Sequence, residues 1–122
     1  MKIEEFVIKA EKQDSRNVFE PFEGDVSFVP EDIRKFYVLA NPVDVEISTQ
    51  KYGNVHFYPI EQIRNLNDEY SFMPNRSFIF ATTNGDPIFI ENSRYYTTYE
   101  SCYQPEYISD SFEAFLDVLK MV

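Results

Sequence analysis

The chain has 122 residues and a mass of 14.5 kDa, the size of one domain with a single hydrophobic core. Hydrophobic residues make up 43% of it and aromatic residues 17%, which excludes intrinsic disorder as a description of the whole chain. Eleven Lys and Arg against 21 Asp and Glu give a net charge of −10, which argues against nucleic-acid binding and against adsorption to an anionic membrane. The charge permits a basic protein partner, although acidic surfaces also simply keep proteins soluble.

Two helices are predicted in the first third of the chain. The first has apolar residues at helical spacing and ends in the polar segment 13–17. Its apolar residues are Ile3, Phe6, Val7 and Ala10. Residues 18–24 are predicted to form an ordered loop held by aromatic side chains. The second helix begins at Pro30, which needs no N–H at the first helical position, and ends at Asn41-Pro42, because the residue before a proline avoids the α conformation.

Alternating apolar and polar residues predict strands in the middle of the chain. Residues 45–49 and 55–58 are predicted to pair as a hairpin. A short helix over residues 60–66 follows. Three further strands are then predicted, the first buried on both faces and joined to the second by a turn at Asn84-Gly85. They lie at residues 78–81, 88–90 and Arg94–Tyr99.

The last element is an amphipathic helix. Asp110 is placed to cap it, and Glu113, three residues on, would complete a capping box. The apolar residues recur at i, i+3, i+4 and i+7, which predicts a core-facing side. They are Phe112, Phe115, Leu116 and Leu119. Helices at both ends with strands between them predict a single α+β domain over residues 1–122.

The compartment is inferred from what the chain lacks. No apolar segment approaches the roughly 18 residues needed to cross a bilayer. Residues 1–12 do not have the basic start, apolar middle and small-residue cleavage site of a signal peptide. Cys102 is the only cysteine, so no internal disulfide can form. We therefore expect a cytoplasmic protein.

The residue inventory predicts no enzyme, no metal site and no cofactor. His56 and Cys102 are single residues of their types, 46 positions apart, so a nucleophilic pair would depend entirely on the fold. His56 is predicted to lie on the outer face of its strand. A zinc site needs several Cys or His ligands, and no stretch matches a calcium-binding loop. The three glycines are too far apart to form a phosphate-binding loop.

Tyrosines and acidic residues cluster late in the chain. The tyrosines are Tyr95, Tyr96, Tyr99, Tyr103 and Tyr107, and the flanking acids are Glu91, Glu100, Glu106 and Asp110. Tyrosine rings among carboxylates are typical of a protein contact surface. Aromatic residues also favour strands for structural reasons alone, so the sequence leaves both interpretations open.

Five short motifs follow one another along the chain in an order that is typical of a known family. A helix started by proline spans residues 29–37, and Pro-Ile-Glu-x-Ile stands at 59–63. An apolar strand leads into Asn84-Gly85-Asp86, and a tyrosine-bearing strand ends in Tyr99-Glu100. The last motif, Ser-Phe-Glu-x-Phe-Leu, stands at 111–116. Over residues 29–119 this order and spacing resembles the SUKH superfamily, named after a fungal regulator of cell-wall glucan synthesis and its bacterial relatives.

The resemblance implies one curved, mostly antiparallel sheet flanked by N-terminal and C-terminal helices. It implies a structural role for four residues: Pro30, Gly85, Asp86 and Phe112. In bacteria it implies an immunity protein, which neutralises a basic toxin domain, often a nuclease, by stoichiometric binding without catalysis. We predict that five residues form the contact face: Asp86, Glu91, Tyr96, Tyr99 and Glu100.

Two other functions stay open at this point. The fungal relative suggests a regulatory adaptor with several weak partners. An aromatic-lined cleft would instead suit a small-molecule-binding domain. In each case we expect a monomer or a weak homodimer that binds neither nucleic acid nor membrane.

Overall fold

The centre of the protein is a seven-stranded antiparallel sheet whose strand order follows the chain order. A computed structural model describes residues 1–122. The strands are β1 (Val18–Glu20), β2 (Asn41–Thr49), β3 (Gly53–Phe57), β4 (Phe78–Thr83), β5 (Asp86–Glu91), β6 (Arg94–Tyr99) and β7 (Cys102–Ser109). Strands β1 and β7 therefore form the two edges of the sheet.

Four α-helices accompany the sheet. They are α1 (Ile3–Gln13), α2 (Glu31–Ala40), α3 (Ile63–Glu69) and α4 (Phe112–Leu119), and one turn of 3₁₀ helix (Ile60–Gln62) leads into α3. None of them has the length and apolar character needed to span a bilayer. The α+β class, with helices at both ends of the chain, is confirmed.

An aromatic core lies between the sheet and the helices α1, α2 and α4. The ring of Phe6 in α1 lies 5.2 Å from that of Phe57 in β3, and Phe80 in β4 lies 5.4 Å from Phe115 in α4. These side chains are fully buried, and each is worth about 1.5–3 kcal/mol of burial free energy. The helix-covered side is the inner face of the sheet, and the opposite side is its outer face.

One carboxylate joins three elements that are distant in the chain. Oδ2 of Asp32, in the first turn of α2, accepts hydrogen bonds from Oη of Tyr95 at 2.6 Å and from the backbone N–H of Phe112 at 2.7 Å. Tyr95 lies in β6, and Phe112 is the first residue of α4. Asp32 thus fixes α4 and β6 relative to α2, and it also satisfies an unpaired N–H at the start of α4.

The hairpin β2–β3, the strand β4 buried on both faces and the turn at Asn84-Gly85 are confirmed. Asn84 and Gly85 have φ angles of +50° and +85°, the conformation that a two-residue hairpin turn requires. His56 points to the outer face, where its ring stacks on that of Tyr58 at 4.2 Å.

The predicted cap of the last helix is wrong by one residue. Ser111, not Asp110, is the N-cap, and its Oγ accepts a hydrogen bond from the backbone N–H of Ala114. The carboxylate of Asp110 instead accepts a hydrogen bond from Oη of Tyr107. A similar shift applies to α2, where Pro30 precedes the first helical residue rather than occupying it.

The predicted loop at 18–24 is partly a strand. Val18–Glu20 forms β1 and pairs with the first residues of β2, which begins at Asn41 rather than at Val45. The helix ends before Pro42, as predicted. Pro42 itself lies in β2, next to the edge strand, where a proline is tolerated. The side chain of Asn41 holds this junction, because its Oδ1 accepts the N–H of Ile60 at 2.9 Å.

Strand β7 was not predicted. Most of its side chains are exposed, and only Ile108 and Ser109 are buried, so it shows no apolar alternation. Pro105 in its middle further hides the pattern, although an edge strand tolerates proline. Helix α3 also runs past its predicted end, to Glu69. There the amide of Asn67 exchanges two hydrogen bonds with the backbone of Ile79.

Removing the hydroxyl of Tyr37 tests the packing of the core. This hydroxyl is buried and has no hydrogen-bond partner, and burial raises the pKa of the phenol far above its usual range. Tyr37→Phe is expected to leave the free energy of unfolding unchanged or to raise it by about 1 kcal/mol, because an unsatisfied polar group is removed. Urea unfolding monitored by circular dichroism measures the change.

Tyr95→Phe is the matched control, because the same atom is removed from a hydroxyl that donates to Asp32. It is expected to lower the free energy of unfolding by about 1.5–3 kcal/mol, the usual contribution of a hydrogen bond to a charged group. A similar loss in Tyr37→Phe would contradict the assignment of its hydroxyl as unpartnered.

Candidate partner-binding surface

The turns β4–β5 and β6–β7 lie side by side at one end of the sheet. The backbone N–H of Glu100 donates to Oδ1 of Asp86 at 2.9 Å. Gly85 has a φ of +85°, a left-handed conformation that favours glycine, and Oε2 of Glu100 lies 2.5 Å from the place that a Cβ atom would take there. The packing also presents Tyr99, which is 62% exposed.

Helix α3 delivers further groups to the same place. Oη of Tyr70, directly after α3, donates to the carbonyl oxygen of Gly85 at 2.7 Å. Burial is the largest cause that raises the pKa of the Tyr70 phenol, and neighbouring acidic groups raise it further. These groups are the side chains of Tyr58, Glu69, Glu100 and Asp86.

We call Glu69, Asp86, Tyr99 and Glu100 the acidic turn. None of its three carboxylates takes part in any of the five salt bridges of the protein. Lys51 lies in the turn β2–β3 at the same end of the sheet and pairs with none of them. The acidic turn therefore combines carboxylates that form no salt bridge with Lys or Arg and one exposed aromatic residue.

A second surface lies on the outer face over β5–β7. Alternate residues of a strand point to opposite faces, so the inward position of Tyr95 places Tyr96 outward, where its ring stacks on Phe89 at 5.7 Å. The ring of Tyr103 lies 6.3 Å from Phe89, and that of Tyr107 lies 6.1 Å from Tyr96. We call Phe89, Tyr96, Tyr103 and Tyr107 the tyrosine face.

Glu91 lies at the border of the tyrosine face and is only 8% exposed. Oη of Tyr103 reaches both carboxylate oxygens, at 2.7 and 2.8 Å, and Oγ of Ser77 donates to one of them at 2.8 Å. Nε of Arg76 lies 3.5 Å away. Burial raises the pKa of Glu91, but these hydrogen bonds and the charge of Arg76 outweigh it and hold the pKa below its ordinary value.

Asp110 has a similar role on the neighbouring tyrosine. Its Oδ1 accepts a hydrogen bond from Oη of Tyr107 at 2.9 Å and lies 3.5 Å from Nε of Arg94. Two of the three tyrosine hydroxyls on this face are thus held by carboxylates, and each of those carboxylates is paired with an arginine. On the tyrosine face, therefore, the hydroxyls of Tyr103 and Tyr107 are hydrogen-bonded, and the acidic groups that accept from them each lie beside an arginine.

The structure divides the five predicted contact residues between these two surfaces. Asp86, Tyr99 and Glu100 come together in the acidic turn, whereas Tyr96 lies on the tyrosine face and Glu91 is buried beside it. Strand β6 connects the surfaces, because Tyr96 and Tyr99 are separated by about 10 Å along it. The contact role of the five residues stays a prediction.

The structure does not bring His56 and Cys102 together. His56 lies in β3 and Cys102 at the start of β7, with three strands between them. No group of three or more His, Cys, Asp or Glu side chains is placed to hold a metal ion.

The comparisons with known proteins identify the family. The model of the SMI1 / KNR4 family (SUKH-1) matches residues 16–118. The chain belongs to the SUKH-1 family. No curated protein and no solved structure matches it. The SUKH-1 match includes all seven strands and both surfaces described above, and it leaves the whole of α1 outside.

Sequence reasoning missed two residues of the acidic turn region in this SUKH-1 chain. In the sequence, Glu69 and the adjacent Asp68 follow the predicted end of the helix as an acidic pair that simple exposure explains, and Tyr70 gives no local signal. Their proximity to Gly85 depends on the fold of α3 against β4, which no spacing rule predicts. The tyrosines at 103 and 107 were visible as a cluster, but their carboxylate partners were not.

The hydrogen bonds between Tyr103 and Glu91 predict a pH-dependent contribution to stability. At pH 7, Tyr103→Phe is expected to lower the free energy of unfolding by about 1–2 kcal/mol, since a hydrogen bond to a charged group is lost at a partly exposed site. Because the folded pKa of Glu91 lies below its ordinary value of 4.5, the ionised carboxylate stabilises the fold at neutral pH, and this stabilisation is lost as the pH falls through the folded pKa. The difference between wild type and variant should therefore shrink below about pH 4.5.

Tyr96→Phe is the control, because the hydroxyl of Tyr96 bonds to no other residue; its free energy of unfolding should match wild type within about 0.5 kcal/mol. Urea unfolding between pH 7 and pH 3 measures all three proteins. A penalty in Tyr103→Phe that is independent of pH would show that the bond to Glu91 is not its source.

Proposed function

We propose that this SUKH-1 chain is a non-catalytic immunity protein that neutralises one basic toxin domain by stoichiometric binding in the cytoplasm. The observation that carries the proposal is the acidic turn, where three carboxylates without salt-bridge partners lie close enough to act on Tyr70, and where the neighbouring Tyr99 is exposed. Within a chain of net charge −10, this end of the sheet is suited to a positively charged protein surface.

The two surfaces would contribute differently to binding. The acidic turn acts at long range, because unpaired charges steer the encounter and raise the association rate. The tyrosine face acts at short range, because Glu91 and Asp110 already fix its rings and little side-chain entropy is lost on contact. Arg76 and Arg94 neutralise those two acids, so this face contributes packing rather than net charge.

A nuclease toxin fits this arrangement. The active site of a nuclease is basic because its substrate is polyanionic. An acidic protein can occupy or obstruct such a site in place of the nucleic acid, and no catalytic group is needed for that.

The first experiment identifies the partner. Tagged protein is used to capture binding partners from the lysate and the secreted fraction of its own cell, with washes at low and high salt. The product of the neighbouring open reading frame is then tested directly. One basic toxin domain that binds in a 1:1 ratio, and whose toxicity is suppressed when this chain is co-expressed, is the expected result. Many partners of ordinary charge and no protection would favour the adaptor function and overturn the proposal.

Charge removal at the acidic turn tests the steering step. The double variant Asp86→Asn/Glu100→Gln keeps the shape of both side chains, and Asn still offers an acceptor to the N–H of Glu100. We expect its association rate constant with the toxin to fall about three- to tenfold at low ionic strength and to approach wild type at high salt, where charges are screened. Stopped-flow fluorescence measures the rates.

The matched control is Glu20→Gln/Glu23→Gln, which removes the same charge beside the opposite edge of the sheet. Both glutamates are exposed and unpaired, like those of the acidic turn. An equal slowing in both double variants would show that only net charge matters and would exclude the acidic turn as the docking site.

A further inference from the structure

A cleft of about 330 Å³ lies between the end of α3 and the segment that leads into β4. Its walls include Asp68, Tyr70, Ser71, Met73 and Asn75. The cleft is next to the acidic turn, because Tyr70 lines the cleft and its Oη donates a hydrogen bond to Gly85, the residue before Asp86.

Among the polar side chains that line this cleft, those without a partner inside the protein include one carboxylate and no cationic group. Asn67 and Ser77 also line it, but the amide of Asn67 is used by Ile63 and Ile79, and the hydroxyl of Ser77 donates to Glu91. Three further polar side chains make no hydrogen bond or salt bridge within the protein. They are Asp68, Ser71 and Asn75.

No Lys or Arg lines the cleft. Arg76 is adjacent in sequence to Asn75, but its guanidinium is engaged by Glu91 at 3.5 Å and by Tyr103 at 3.4 Å. The cleft therefore offers one uncompensated carboxylate, two neutral polar groups and an aromatic wall. That combination suits a donor-rich, planar cation better than an anion or an apolar group.

We propose that the cleft receives a single arginine side chain of the protein partner. The inference rests on the proposed function, which it deepens by naming the partner group bound beside the acidic turn. The guanidinium donates to the carboxylate of Asp68 and to oxygens of Ser71 and Asn75, and it stacks on the ring of Tyr70. The bond from Tyr70 to Gly85 fixes this ring in advance, so the subsite exists before the partner arrives.

The experiment uses N-acetyl-arginine amide as the probe and the full ¹⁵N-labelled chain. Amide chemical-shift changes are followed at millimolar probe concentrations, with N-acetyl-citrulline amide as the neutral probe of the same shape. We expect shifts confined to residues near 67–77, and binding of the citrulline probe that is at least about fivefold weaker. Equal binding of both probes, or shifts located elsewhere, would overturn the assignment.

Asp68→Asn tests the residue itself. Because its carboxylate makes no bond within the protein, the variant should unfold at the wild-type urea concentration while losing about fivefold in affinity for the arginine probe. Asp44→Asn removes an exposed carboxylate on β2 and should change neither quantity. Unchanged probe affinity in Asp68→Asn would refute the subsite.

Failure here and failure of the proposed function can be told apart. The probe assay contains no toxin, so a negative result removes the arginine subsite and leaves the steering experiment at the acidic turn intact. A chain that binds the arginine probe at the cleft but protects against no toxin would instead retain the subsite and refute the immunity function.

Discussion

The carboxylate of Asp32 is the contact on which the arrangement of the other elements depends. It joins the start of α2 to β6, 63 residues away, and to the start of α4, 80 residues away. Through Tyr95 it fixes which side of β6 faces the core. Because side chains alternate along a strand, the inward position of Tyr95 makes Tyr96 point outward. The burial of Tyr95 thus determines which tyrosines of this strand lie on the outer face.

Acidic residues have different roles on the two surfaces of this protein. At the tyrosine face each carboxylate has an arginine nearby and holds a tyrosine hydroxyl, so acidic residues serve there as internal supports. At the acidic turn the carboxylates have no paired cation, and their field extends into solvent. A net charge of −10 therefore says little about any one glutamate. Glu91 and Glu100 look alike in the sequence, yet Glu91 is buried and Glu100 is exposed.

Local patterns predicted local structure well. The periodicity of the helices, the Asn84-Gly85 turn and the alternation in β2 and β3 each depend on neighbouring residues, and each is confirmed. What the sequence concealed depends on distant contacts. Strand β7 has no apolar alternation because it is an exposed edge, and the burial of Glu91 follows from Ser77 and Tyr103 on other segments. The family resemblance implied a single, mostly antiparallel sheet, but it could not divide the five predicted residues between two surfaces.

The order of the strands has a consequence for how the protein forms. Every strand pairs with the one before it, and no two paired strands are separated by more than the 20 residues of segments 21–40 and 58–77. Each pairing closes a short loop, so the sheet can grow in the direction of synthesis at low entropic cost. The contacts of residues 112–122 must wait for the end of the chain, among them those of α4 with Asp32 and with the aromatic core. This strand order favours formation of the sheet while the chain is still being made, and α4 then completes the core.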